Sequence, residues 1–155
     1  MKRWLCYLCA LAAVVGLGSN GSAGKDIGKL QPVQVVYMTC KNGRVLLQTD
    51  TGDWGQGDAL VDALQNMKAS SSREVFLETA DYLLLSPECE SLLPAVTDLL
   101  RPSCALCLID GQPDMGQVGA YLQLHSPHTT LVQYRAGDRQ LQTLVTQEGR
   151  MELVS

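Results

Sequence analysis

Two continuously apolar runs flank a turn-and-helix segment between residues 74 and 111, and this arrangement limits the folds open to the chain. The stretch reads Glu-Val-Phe-Leu-Glu-Thr-Ala-Asp-Tyr-Leu-Leu-Leu, then Ser-Pro-Glu, a helical segment, and Cys-Ala-Leu-Cys-Leu-Ile-Asp-Gly. Runs without polar alternation suit strands covered on both faces. Residues 75–85 and 104–109 are therefore expected to be neighbouring inner strands of one sheet. Residues 78–81 interrupt the first run and read as a bend or single turn.

The flanking segments extend the pattern. Residues 33–40 are rich in Val, Tyr and Thr and read as a strand. Lys-Asn-Gly at 41–43 reads as a hairpin turn into a returning strand at 44–50. Gly52, Gly55 and Gly57 around Trp54 make residues 51–57 read as a loop. Leu60, Ala63, Leu64 and Met67 then fall on one helix face, with Asp58 at the start and Lys68 at the end to suit the helix dipole. Ser86 is expected to cap a helix with Pro87 at its first position. Pro94 should break that helix near Leu92, leaving a second piece to Leu100. Asp114 and Gln117 have capping-box spacing, and Met115, Val118 and Leu122 line the next helix. Residues 129–135, 140–147 and 151–154 read as strands. The expected fold is α/β: a single domain with a mixed sheet, parallel central strands, helices packed on it and antiparallel hairpins at both ends.

Compartment is legible at the N-terminus. Lys2 and Arg3 precede an apolar run of 14 residues, 4–17, followed by small and polar residues. That order is a secretory signal, and the run is shorter than the roughly 20 residues that span a bilayer. The expectation is a signal peptide at 1–24 and a secreted or extracytoplasmic domain at 25–155, with residues 25–32 a loose lead-in. The alternative is a membrane anchor through an uncleaved N-terminal segment, and membrane association is expected only in that case. Cys6 and Cys9 read as apolar residues of the signal. Of 155 residues, 46% are hydrophobic and 18% charged, which fits a folded chain. Past residue 24 there are 10 basic against 16 acidic side chains, about −6. With no Lys/Arg cluster, no nucleic-acid partner is expected.

Four cysteines remain, Cys40, Cys89, Cys104 and Cys107, and four allow three pairings in an exported chain. Cys104-x-x-Cys107 has the spacing of thiol oxidoreductases, but those place the pair at a helix N-terminus. Here it opens an apolar strand, where residues three apart point to opposite faces. Buried, inert cysteines are the expectation, and a structural disulfide to Cys40 or Cys89 is the next reading. His125 and His128 form His-x-x-His on a loop with no evident third zinc ligand. Asp50, Asp53 and Asp58 lack calcium-loop order. The glycines of 52–57 do not match a dinucleotide fingerprint. Glu78 and Asp81 could pair as carboxylates, although a solvated bend is the simpler reading. No catalytic residue, metal or cofactor is expected. Trp54 is the first candidate for contact with a protein partner, since Trp is over-represented in binding hot spots.

Residues 51–111 also resemble a known family. The Gly-containing loop, the Ala-Leu-x-x-Ala-Leu helix, Tyr-Leu-Leu-Leu-Ser-Pro-Glu and Ala-Val-Thr-Asp-Leu-Leu-Arg-Pro are similar to the N-terminal domain of the Ger(x)C family, the C subunits of spore germinant receptors. The chain departs from that family in having no lipid-attachment cysteine and in being shorter. The resemblance implies a non-enzymatic extracytoplasmic accessory protein linked to sporulation or spore germination. The alternative from the residues is an exported thiol-redox protein using Cys104 and Cys107. If the signal reading holds, mass spectrometry of the exported protein will show a mature N-terminus immediately after Ala23 or Gly24. A protein retaining Met1 would place it on the anchor instead.

Overall fold

The computed structural model describes residues 30–147 and 149–155. The expected signal peptide at 1–24, with Cys6 and Cys9, lies outside them. The described residues form a mixed α/β fold. Its strands are β1 (Leu30–Pro32), β2 (Val35–Lys41), β3 (Arg44–Thr49), β4 (Trp54–Gly57), β5 (Glu74–Phe76), β6 (Tyr82–Leu85), β7 (Ala105–Ile109), β8 (Gln142–Gln147) and β9 (Arg150–Val154). Its helices are α1 (Leu60–Ser70), α2 (Leu93–Val96), α3 (Met115–Leu124) and α4 (Leu131–Arg135).

Seven strands make the main sheet, in the order β4-β3-β2-β6-β7-β8-β9. β2, β6, β7 and β8 run parallel, and hairpins add β3 and β9 antiparallel at the two sides. Tyr82 pairs with Ala105 and Leu85 with Leu108, so β6 and β7 are the neighbouring inner strands that their composition demands. The turn at 41–43 forms as expected: Asn42 and Gly43 take φ of 52° and 75°, the positive values of a two-residue hairpin.

Two cores lie on either side of the sheet. Val36, Met38, Leu83, Leu85 and Leu106 join α1, α2 and α4 on one face. Val35, Tyr37, Leu84, Cys107 and Ile109 meet α3 through Met115, Val118 and Leu122 on the other. Asp114 caps α3 by accepting from the Gly116 and Gln117 amides at 3.1 and 3.2 Å.

Several expectations are corrected. Residues 54–57 are a strand, not a loop, because the glycines let α1 lie directly on β4. A Cβ on Gly55 would overlap the Ala63 carbonyl and sit 2.6 Å from the Met67 Cβ. Residues 30–32 are a strand, paired in parallel with β5 in a separate two-stranded sheet. Residues 75–77 consequently stand outside the central sheet, and a 3-10 turn at Leu77–Thr79 leads into β6. Pro87–Leu92 is a 3-10 helix without a side-chain cap from Ser86, whose hydroxyl instead accepts from the Cys40 amide at 3.4 Å. The second piece, α2, stops at Val96 rather than Leu100.

Residues 129–135 are mainly the helix α4. The β-branched run Thr-Thr-Leu-Val suggests a strand, but Thr130 and Gln133 form a capping box and Leu131 is drawn into the core. β8 begins at Gln142 instead of Gln140. The tight contact between α1 and β4 should be intolerant of added volume. Gly55→Ala is expected to cost about 3 kcal/mol in urea unfolding, the upper part of the usual overpacking range, and a loss below about 0.5 kcal/mol would show that α1 can move away.

Candidate functional site

Ligand sites in open α/β sheets lie at the carboxyl ends of parallel strands, where neighbouring strands lead off in opposite directions. Here that point falls between β2 and β6. The chain leaves β2 toward β3 on one side and leaves β6 toward β7 on the other. On the α1 face, a disulfide between Cys40 and Cys89 ties the end of β2 to the 3-10 helix after β6, with the Cα atoms 5.5 Å apart. The Ser86 amide donates to the Met38 carbonyl at 2.9 Å beside it. An intramolecular disulfide fits a protein that folds outside a reducing cytosol. Among the described residues, no helix is long and apolar enough to cross a membrane.

On the α3 face of the same edge, the Tyr37 hydroxyl donates to the Gly111 carbonyl at 2.8 Å. Burial is the main reason that its phenol is pushed above its ordinary pKa. Next to it is a hollow of about 160 Å³ lined by Tyr37, Thr39, Lys41, Arg44, Leu46 and Gln56, among others.

The hollow opens onto an uncovered part of the sheet. Alternation along β3 turns Val45, Leu47 and Thr49 toward α1 and leaves Arg44, Leu46 and Gln48 on the other face. In β4, Gly55 and Gly57 face α1, so Trp54 and Gln56 project outward. The core under α3 takes no residue of β3 or β4; of the outward side chains Leu46, Gln48 and Gln56 are half-buried, and Trp54 is 57% exposed. Arg44 is held between the two strands. Its Nε lies 3.3 Å from Asp58, and Gln56, with its amide oxygen turned toward the guanidinium, accepts from Nη1 at 2.9 Å. A second hollow of about 310 Å³ adjoins Trp54 and shares Arg44 and Gln56 with the first. The two hollows share Arg44 and Gln56 and together make a concave strip, with the buried Tyr37 lining one end and the exposed Trp54 the other.

The outer rim of β4 is closed. Ser70 and Asn66 of α1 donate to the Trp54 and Gln56 carbonyls at 3.2 and 2.7 Å. Strand addition at this edge of β4 is therefore blocked.

The remaining candidate residues are dispersed. Asp50 accepts from the Gln34 amide, Asp53 from the Thr51 hydroxyl, and Asp58 faces Arg44. Asp81 is ion-paired with Arg101, while Glu78 lies exposed on the 3-10 turn. His125 stacks on Tyr121 with ring centroids 4.6 Å apart. His128 lines a cleft of about 630 Å³, with Glu90, Asp138 and Arg139 also in its lining. All four are exposed, and the Glu90 and Asp138 carboxylates oppose the Arg139 guanidinium. The concave strip ranks above this cleft despite its smaller volume, since it combines a large exposed aromatic with a held cation. Among the described residues, no three of His, Cys, Asp and Glu converge as metal ligands. Trp54 was legible as a candidate from its residue type alone. Arg44, Gln56 and Tyr37 were not, although the alternation in 44–49 and the large–Gly–large–Gly pattern of 54–57 carry the signal.

Cys104 and Cys107 are both free and fully buried. Cys104 belongs to the α1-side core and Cys107 to the α3-side core, as strand alternation requires. Desolvation pushes both thiols up to about 12, which leaves them protonated and poorly nucleophilic. In the folded protein both should resist thiol titration until denaturant is added. Their folded pKa values are raised, so their contribution to stability is complete below about pH 9 and is lost as pH rises toward about 12. Urea unfolding of the Cys104→Ala/Cys107→Ala variant should accordingly show a shallower alkaline decline than the parent. Rapid titration of either thiol at neutral pH would contradict the enclosed geometry.

No protein-family model matches the chain, and searches of curated proteins and of solved structures return no significant match.

Proposed function

We propose that this is an exported, non-enzymatic binding or accessory protein that docks a protein partner on the uncovered face of β2, β3 and β4, with Trp54 as the anchor. One observation carries the reading: a tryptophan that a small domain could bury stands 57% exposed beside a cation fixed by two neighbours. Large aromatics next to Arg are the residues that dominate binding energy in protein interfaces. The signal-like N-terminus and the Cys40–Cys89 disulfide support export. The resemblance of residues 51–111 to the Ger(x)C family directs the search for a partner to the extracytoplasmic apparatus of spore germination. A thiol-redox role for Cys104 and Cys107 fits the geometry poorly, because such chemistry needs both sulfurs together and open to solvent.

The test compares the parent with Trp54→Ala and with Val61→Ala, an equally exposed apolar residue on α1. Partner capture from membrane extracts should fall at least roughly tenfold in the Trp54 variant, the size of a hot-spot loss. It should stay unchanged in the Val61 variant, and both should keep the parental melting temperature. Tryptophan fluorescence of the parent should shift when the captured partner is added back. Equal capture by parent and Trp54→Ala would refute the assignment of this surface.

A further inference from the structure

The two rims of the main sheet are treated differently. α1 blocks β4 with Ser70 and Asn66. At the other rim, β9 pairs with β8 alone among the described strands. Gln147 and Arg150 close a hairpin with a two-residue connection, so they exchange both ladder hydrogen bonds. Alternation then turns the amides and carbonyls of Met151 and Leu153 outward, along the open rim. This strand has no proline, and among the described residues no helix side chain bonds its outer edge, two usual defences of an exposed edge. Its side chains are sorted: Met151 and Leu153 are half-buried against the α3-side core, whereas Arg150, Glu152 and Val154 are exposed.

We infer that this rim is an interface, and that its occupant is β9 of a second copy of the chain, joined antiparallel about a two-fold axis at Met151. Charge selects both occupant and register. A two-fold contact places the same strand on both sides, so each residue must suit its counterpart. Three registers align the outward-facing amides. Pairing Met151 with Leu153 sets Glu152 against Glu152 of the second copy, which repels. Pairing Leu153 with itself sets Glu152 against Val154 and makes no ion pair. Pairing Met151 with itself sets Arg150 against Glu152 of the second copy twice, at adjacent positions on one face. Directly opposed charges of unlike sign stabilise a strand pair and like charges weaken it. The same register brings the two Met151 side chains together on the other face, next to the half-buried Leu153. Two seven-stranded sheets then continue into one. The Trp54 surface lies at the far rim and stays free in both copies.

Sedimentation equilibrium over a concentration series tests this, using protein purified from cells that express the full chain. The parent should dimerise. Glu152→Arg and Arg150→Glu should each weaken the dimer about tenfold or more, since two attractive pairs become two repulsive ones. The double variant R150E/E152R should recover it, and this recovery also controls for any loss of fold in a single variant. The Met151 and Leu153 amides should gain hydrogen-exchange protection as concentration rises, and Trp54→Ala should leave the dimer intact. A parent that stays monomeric to its solubility limit, or a dimer indifferent to both reversals, would overturn the inference without touching the partner surface.

Discussion

Leu83, Leu84, Leu85 and Leu106 have no solvent-exposed surface, and their enclosure on both faces of β6 and β7 is the constraint the fold serves. Each such side chain contributes about 1.5–3 kcal/mol on burial. Leu83 and Leu85 point into one core and Leu84 into the other, so a cover on a single face would leave part of the run in water. Helices on both sides follow from that requirement. The cover is unequal: α1, α2 and α4 contribute to one face, and α3 is the described helix packed on the other. That core takes no residue of β3 or β4, so their outward side chains lie outside it.

The Cys40–Cys89 bond reinforces this core at a weak point. Pro87–Leu92 is a 3-10 helix that packs against β2 and β6. The bond anchors it to β2 across a sequence separation of 49 residues. Closing a loop of that length limits the unfolded chain by about 4 kcal/mol in the chain-entropy account. The other two cysteines fill space, one in each core.

Close approach of α1 to β4 links the core to the proposed docking surface. Glycines on one side of the strand admit the helix, and period-two alternation sends Trp54 and Gln56 to the other side. The packing that seals the α1-side core therefore also presents the aromatic. Ser70 and Asn66 close the rim in the same contact, so association through β4 is confined to its face.

Local chemistry carried much of this into the sequence. The apolar runs at 82–85 and 104–109, the Asn-Gly turn, the α1 stripe and the Asp114 cap each depend on residues close along the chain, and each formed. The opposite orientations of Cys104 and Cys107 were equally readable, because a strand's period is two. Residues 54–57 were misread, since glycine marks a loop unless a helix is known to press against it. Residues 129–135 were misread because β-branched propensity outweighed a capping box whose value depends on Leu131 reaching the core. Which cysteines pair, which face stays uncovered and which rim stays open were decided by tertiary structure alone. These features depend on contacts between elements tens of residues apart, and strand or helix periodicity holds no information about distances of that kind.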